Sequence, residues 1–124
     1  MSDILLPLLF SLVLTLAVEL PLALLLKVRR GKDLLVIALV NILTNPVVNY
    51  CYYWAVFIFS EHSVYTYLIL AVLEITAVII EFLFYRSLLS YDRIGKLKLS
   101  VILNSASFIA GLLLTVIIRV VAST

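Results

Sequence analysis

The sequence is poor in most of what a water-soluble domain relies on. Charged residues make up 13% of its 124 positions, against about a quarter in soluble domains. It has one cysteine, Cys51, which excludes an internal disulfide and argues against a cysteine-based metal site. Cys51 reads as a small buried apolar residue. Glycine occurs three times, and only Gly111 falls inside an apolar run, so no glycine-rich phosphate loop is present. There is no HExxH, no CxxC and no nucleophile–base pair. The sequence therefore predicts neither an enzyme nor a cofactor. A net charge of +2 is too small to point to nucleic acid.

What remains is apolar. Hydrophobic residues make up 65% of the chain and the mean hydropathy is +1.27. A chain this small leaves a large share of its surface exposed, so the lipid bilayer must be its solvent. Four runs, at 4–26, 34–59, 64–85 and 99–121, each approach the ~20 residues that cross a ~30 Å hydrocarbon core. Helices satisfy every backbone group within the span, whereas the alternating ~10-residue segments of a barrel are missing. The expected fold is all-α, a four-transmembrane-helix bundle in a single domain over 1–124. Met1-Ser2-Asp3 lacks the basic flank of a signal peptide, and the run behind it is too long for one. The first run is accordingly expected to be a retained helix. No internal repeat is apparent.

The breaks between runs carry the charge. Lys27, Arg29, Arg30 and Lys32 fall in the first connection, and Arg86, Arg93, Lys96 and Lys98 in the third. The N-terminus and the middle connection carry acid, Asp3 and Glu61. The positive-inside rule then places segments 27–33 and 86–98 in the cytoplasm, with both termini and segment 60–63, including an exposed His62, outside the cell membrane. Arg119, near the outer end of helix 4, must snorkel or pair. Tyr50, Tyr52, Tyr53, Trp54, Tyr65 and Tyr67 read as an outer aromatic belt, and Tyr85 and Tyr91 as an inner one. Segment 87–94 mixes apolar and charged residues and is expected to lie along the inner surface as a short amphipathic segment.

The polar residues inside the spans are the candidates for function, because ionisable groups are expensive there. They are Glu19, Glu74 and Glu81 with Asn41, Asn45, Asn49 and Asn104. At about 1.5 Å per residue, Glu19 and Asn41 lie roughly 10 Å from the inner ends of their helices, Asn104 roughly 8 Å and Glu81 roughly 6 Å. Each helix thus contributes to one layer, and Asn45 and Glu74 form a second near the midplane. The spacings also define faces: Asn41, Asn45 and Asn49 on helix 2, and Glu74 and Glu81 on helix 3. Helix 1 has Ser11, Thr15 and Glu19, and helix 4 has Ser100, Asn104, Ser107, Gly111 and Thr115. Pro46 should free the carbonyl of Ile42 and Pro21 that of Ala17, either as helix breaks that bare a carbonyl for a ligand or as simple kinks. Asn45 and Thr44 are on hand to re-satisfy the backbone.

Each of these has a plainer structural reading. Asparagine and serine also glue membrane helices together, and Ser107-x-x-x-Gly111 fits small-residue packing. Glu81 fits equally well as a partner of Arg86 or of a first-connection arginine. Glu74 has no basic residue at its depth. The pattern leads first to a small transporter or channel for a cation, a proton-coupled substrate or a cationic polar substrate. Four helices enclose little room, so a homodimer or larger homo-oligomer is expected. The alternative is a non-transporting subunit or regulator of a larger membrane complex, its stripes serving as packing seams. In helix count, length and the position of Glu19 the chain resembles the small multidrug resistance transporters. The residues Ala17-Val18-Glu19-Leu20-Pro21 do not match a motif of that family. The chain is also similar in size to the fluoride channels, without their threonine–phenylalanine-rich motif. Neither family is assigned. The bound ion or metal, if any, is not readable.

Overall fold

The computed structural model describes residues 2–91 and 93–124, with side chains from Leu5 onward. The acidic Asp3 side chain and Asp92 in the third connection lie outside the described residues. Four helices follow in order: α1 (Ser2–Leu25), α2 (Gly31–Phe59), α3 (Val64–Leu88) and α4 (Lys96–Ser123). All four are long and apolar enough to cross a membrane. At 24 to 29 residues they measure about 36 to 44 Å, longer than a ~30 Å hydrocarbon core. Each packs on its sequence neighbour and α1 closes the ring against α4, while no diagonal pair touches among the described residues. One end of the bundle therefore carries the α1–α2 and α3–α4 connections with the basic residues. The other carries the α2–α3 connection, the N-terminal end of α1 and the C-terminal end of α4.

The helices overrun most of the apolar runs by two or three residues. Hydropathy ends at the first charge, but the hydrogen-bonded ladder continues until the backbone receives a stop. α1 stops in a Schellman turn: Lys27 adopts φ 74°, Val28 N–H donates to Ala23 O and Lys27 N–H to Leu24 O. The contact that accompanies such a turn is present too, since Ala23 and Val28 are both fully buried. α2 ends at Ser60, φ 81°, whose carbonyl accepts from Thr66 Oγ1 at 2.6 Å. Ser63 then caps α3, its Oγ accepting from Tyr65 N–H.

The third connection is not the surface segment expected from its composition. Ser87 and Leu88 belong to α3, and residues 89–91 fold over the basic end without helical structure. Leu89 and Tyr91 are buried there. Asp33, in the first turn of α2, holds them down: its Oδ1 accepts from Ser90 N–H at 3.1 Å and its Oδ2 from Ser90 Oγ at 2.8 Å. Tyr91 Oη donates to Leu26 O at 2.7 Å. Tyr85 is completely buried as well. The inner aromatic belt is thus corrected: Tyr85 and Tyr91 are core residues, because α3 turns Tyr85 inward and the folded connection carries Tyr91 onto the core. They join Ala23, Val28, Ile37, Val40, Leu89, Leu99 and Leu103 in one apolar core at the basic end. Tyr50, Tyr53, Trp54, Tyr65 and Tyr67 are exposed at the other end, in agreement with an interfacial belt. Arg119 does pair, donating to Glu61 Oε1 at 2.7 Å.

Candidate functional site

Three helices meet on Glu19. The side chain is fully buried. Asn41 Nδ2 donates to its Oε1 at 3.0 Å, and Ser107 Oγ lies 2.9 Å from its Oε2. Asn41 also donates to Ile37 O at 2.9 Å, so both of its N–H bonds are used and its orientation is fixed. Ser107 Oγ has a second acceptor, the carbonyl of Asn104 at 3.1 Å, and one proton to share between the two. The layer expected from helix depth is therefore real for Glu19 and Asn41. Ser107, expected as packing, supplies its third corner. Gly111 is not a packing contact: a Cβ added there would meet no atom within 4 Å.

A second tier lies farther from the basic end. Asn45 Nδ2 donates to Thr15 Oγ1 at 3.0 Å, joining α2 to α1, while its buried Oδ1 has no partner. Asn49 Nδ2 donates to Asn45 O at 2.9 Å. On the basic-end side of Ser107, Asn104 Nδ2 donates to Ser100 O at 2.9 Å, and Ser100 Oγ donates to Val78 O across to α3. These amides and hydroxyls hold helices together as well as lining the interior. The expected face on helix 2 is intact, although its three asparagines serve four different acceptors.

The two prolines do not break their helices. α1 runs through Pro21, and through Pro7, and α2 runs through Pro46. A proline removes one N–H bond and displaces one carbonyl, and in an apolar span the chain gains nothing by giving up the rest of its ladder. Nor do the expected side chains serve the Ile42 carbonyl: Thr44 Oγ1 donates to Val40 O and Asn45 reaches Thr15.

Between the four helices lies a cavity of about 360 Å³, within the range of small-ligand sites, on the side away from the basic connections. Asn41, Asn45, Asn104 and Ser107 form its polar floor, with Glu19 directly behind Asn41 and Ser107. Glu74 lines its wall, and Asn49, Tyr52, Tyr53 and Pro7 lie toward its mouth. Glu74 and Asn104 also line a second, more apolar groove of about 580 Å³ between α3 and α4. Glu74 therefore sits where the interior cavity meets the outer face of the bundle.

Glu81 departs from its expectation. Arg86 does not pair with it, and its guanidinium lies 6.0 Å from the Phe82 ring centre instead. Glu81 is fully buried, and neither carboxylate oxygen has a hydrogen-bond partner. Tyr85 Oη and the Asn104 amide are its polar neighbours, and neither completes a hydrogen bond. Glu19, Glu74 and Glu81 are close enough to sense one another's charge. No ion pair reaches any of them among the described residues, where the one ion pair is Arg119–Glu61. No group of three or more His, Cys, Asp or Glu is gathered to hold a metal ion among those residues.

Tyr85 was missed as a functional candidate, and Ser107, placed in the polar stripe of helix 4, was assigned to packing, though both carried a signal. Tyr85 is one helical turn from Glu81 on the same face, and Ser107 continues the Ser100–Asn104 stripe. No protein-family model, curated protein or solved structure matches the chain.

Proposed function

We propose that the chain is a small transporter or channel for a cation or a cationic polar substrate, coupled to protons, with the cavity above Glu19 as its binding site. The observation that carries this reading is a set of three carboxylates within the spans, Glu74 in the cavity wall, Glu19 behind its floor and Glu81 beyond it, none of which is paired with a cationic side chain among the described residues. Uncompensated charge in an apolar medium is costly, and a cationic ligand or a proton removes it. Asn41 and Ser107 position Glu19 behind the floor; Asn45 lines the cavity and carries a buried, unpartnered carbonyl oxygen; Glu74 stands at the side opening.

The protein would work in the cell membrane with segments 27–33 and 86–98 in the cytoplasm and both termini and 60–63 outside. In support, eight of its nine lysines and arginines fall at one end of the bundle. The cavity would then open outward, and the α3–α4 groove would face lipid or a second copy in a homo-oligomer. Purified protein in liposomes should pass monovalent or organic cations. Glu19→Gln and Glu74→Gln should each lower flux by about tenfold or more, the loss expected for one charge-assisted contact. If both variants keep full flux, the reading fails.

The α3–α4 groove also suits a second reading. A partner's apolar helix bearing one polar residue would fit beside Glu74, Asn104 and Ser105, making the chain a subunit of a larger complex. A fixed partner that co-purifies, together with no flux from the chain alone, would favour that reading.

A further inference from the structure

Glu81 and Tyr85 stand apart from both cavities, lining neither. They lie one turn apart on α3 and both are completely buried. Their three side-chain oxygens, Glu81 Oε1 and Oε2 and Tyr85 Oη, all lack a hydrogen-bond partner. On the cavity side, Glu19 with Asn41 and Ser107 closes the space. Toward the basic end, Leu89, Tyr91 and Leu99 are buried in the core that Tyr85 itself joins.

A buried carboxyl with no donor needs something to neutralise it. A basic side chain does not do so, since Arg86 lies over Phe82. One carboxylate and one phenol offer too few ligands for a metal ion, which takes four or more. The ionisable groups facing Glu81 are Glu19 from α1 and Glu74 and Tyr85 from α3, so no positive charge is supplied. The polar groups of α2 and α4 at this level, Asn41, Ser100, Asn104 and Ser107, are neutral.

We propose that Glu81 and Tyr85 form a proton-binding site distinct from the cavity, with Glu81 holding one proton as a neutral carboxylic acid beside the Tyr85 hydroxyl. The proton forms an O–H bond to one carboxylate oxygen, which cancels the buried charge and gives the carboxyl a donor of its own. Release breaks that bond, returns the proton to water and leaves the carboxylate; no oxidation or reduction takes part. A cation bound in the cavity would lessen the repulsion from Glu19 and Glu74 and so favour release, which would couple the two sites. That exchange rests on the transport reading above, whereas the proton on Glu81 does not.

The test is infrared spectroscopy of the full chain in lipid bilayers at neutral pH, in H₂O and D₂O. Wild-type protein should show the carbonyl stretch of a protonated, weakly hydrogen-bonded carboxylic acid. Glu81→Gln should remove that band, and Glu19→Gln and Glu74→Gln should leave it in place. Tyr85→Phe, which changes only the hydroxyl, should keep the band and shift its frequency. This variant decides the matter if Glu81→Gln does not fold. Absence of the band in wild type, its persistence in Glu81→Gln, or an unshifted band in Tyr85→Phe would overturn the proposal. None of these results depends on flux. A protonated Glu81 in a protein that transports nothing would sink the transport reading alone.

Discussion

The two halves of the bundle are built on different principles. At the basic end, the helices meet through a core in which Ile37, Leu99, Leu103 and Tyr85 are completely buried. Two connections join the helices there, and they are tied to each other through Asp33–Ser90 and Tyr91–Leu26. At the other end, among the described residues, the α2–α3 connection is the only chain link, and Ala55 and Thr66 are the buried side chains near it. The space between the helices is cavity rather than core. The polar layer at Glu19 marks the border. A small bundle can thus keep a cavity between its helices if one half is packed firmly enough to hold all four of them. Van der Waals packing and interhelical hydrogen bonds do that holding, because lipid supplies little hydrophobic drive between helices.

The sharpest way to break this contrast is to remove the same side chain from each half. Leu103→Ala empties a fully buried position, whereas Leu113→Ala trims a leucine that is 58% exposed and faces lipid in a spanning helix. Leu103→Ala should cost about 2 to 3 kcal/mol, toward the low end for core leucines, since the packing lost inside is partly regained in the unfolded reference state in lipid. Leu113→Ala should cost well under about 1 kcal/mol. Reversible unfolding in mixed micelles would measure both. Equal costs would mean that the basic half is no core at all.

The strap at the basic end gives the next largest effect. Asp33 is 2% exposed and accepts both the backbone N–H and the hydroxyl of Ser90. Asp33→Ala removes two bonds to a charged acceptor and should destabilise the protein by about 1.5 kcal/mol. The α3–α4 connection should loosen with it, so trypsin should cut faster after the exposed Arg93. The test is sharpest if flux is measured as well: a variant that loses the strap and keeps its flux would show that the basic half anchors the bundle without gating it. Unchanged stability and unchanged cleavage would remove the strap from the account.

Much of the border between the halves was legible in the sequence, because hydropathy and helix rise both report depth. Glu19 and Asn41 were placed at one level by counting residues from the charged breaks, and they touch. What depth does not report is rotation about the helix axis. Tyr85 lies at the depth of an interfacial aromatic but points into the core, and Ser107 points at Glu19 rather than into a packing seam. Composition also hides backbone stops. Nothing in Lys27 announces a left-handed residue, a conformation more usual for glycine, so the run was read as ending one residue later than it does. Asp33 was counted among the charges of a loop. Its role depends on a pairing 57 residues away, which no local pattern encodes.

The smallest effect expected is at the open end, and it tests the contrast from the other side. Arg119 and Glu61 form a 2.7 Å ion pair between α4 and the α2–α3 connection, with side chains 60% and 51% exposed. Exposed pairs of this kind contribute about 0.5 kcal/mol and are screened by salt. Arg119→Ala should therefore leave unfolding nearly unchanged at 0.15 M salt or above, although it removes the one ion pair seen at that end. Its consequence should lie in the cavity's mouth. With α4 released from the connection, its C-terminal end is held less firmly against α3 and α1, so on the transport proposal cation flux should change more than stability does, and the difference should shrink as salt rises. A loss of stability as large as that of Asp33→Ala would mean that the open half is held together by this pair, and the division into an anchored and an open half would no longer stand.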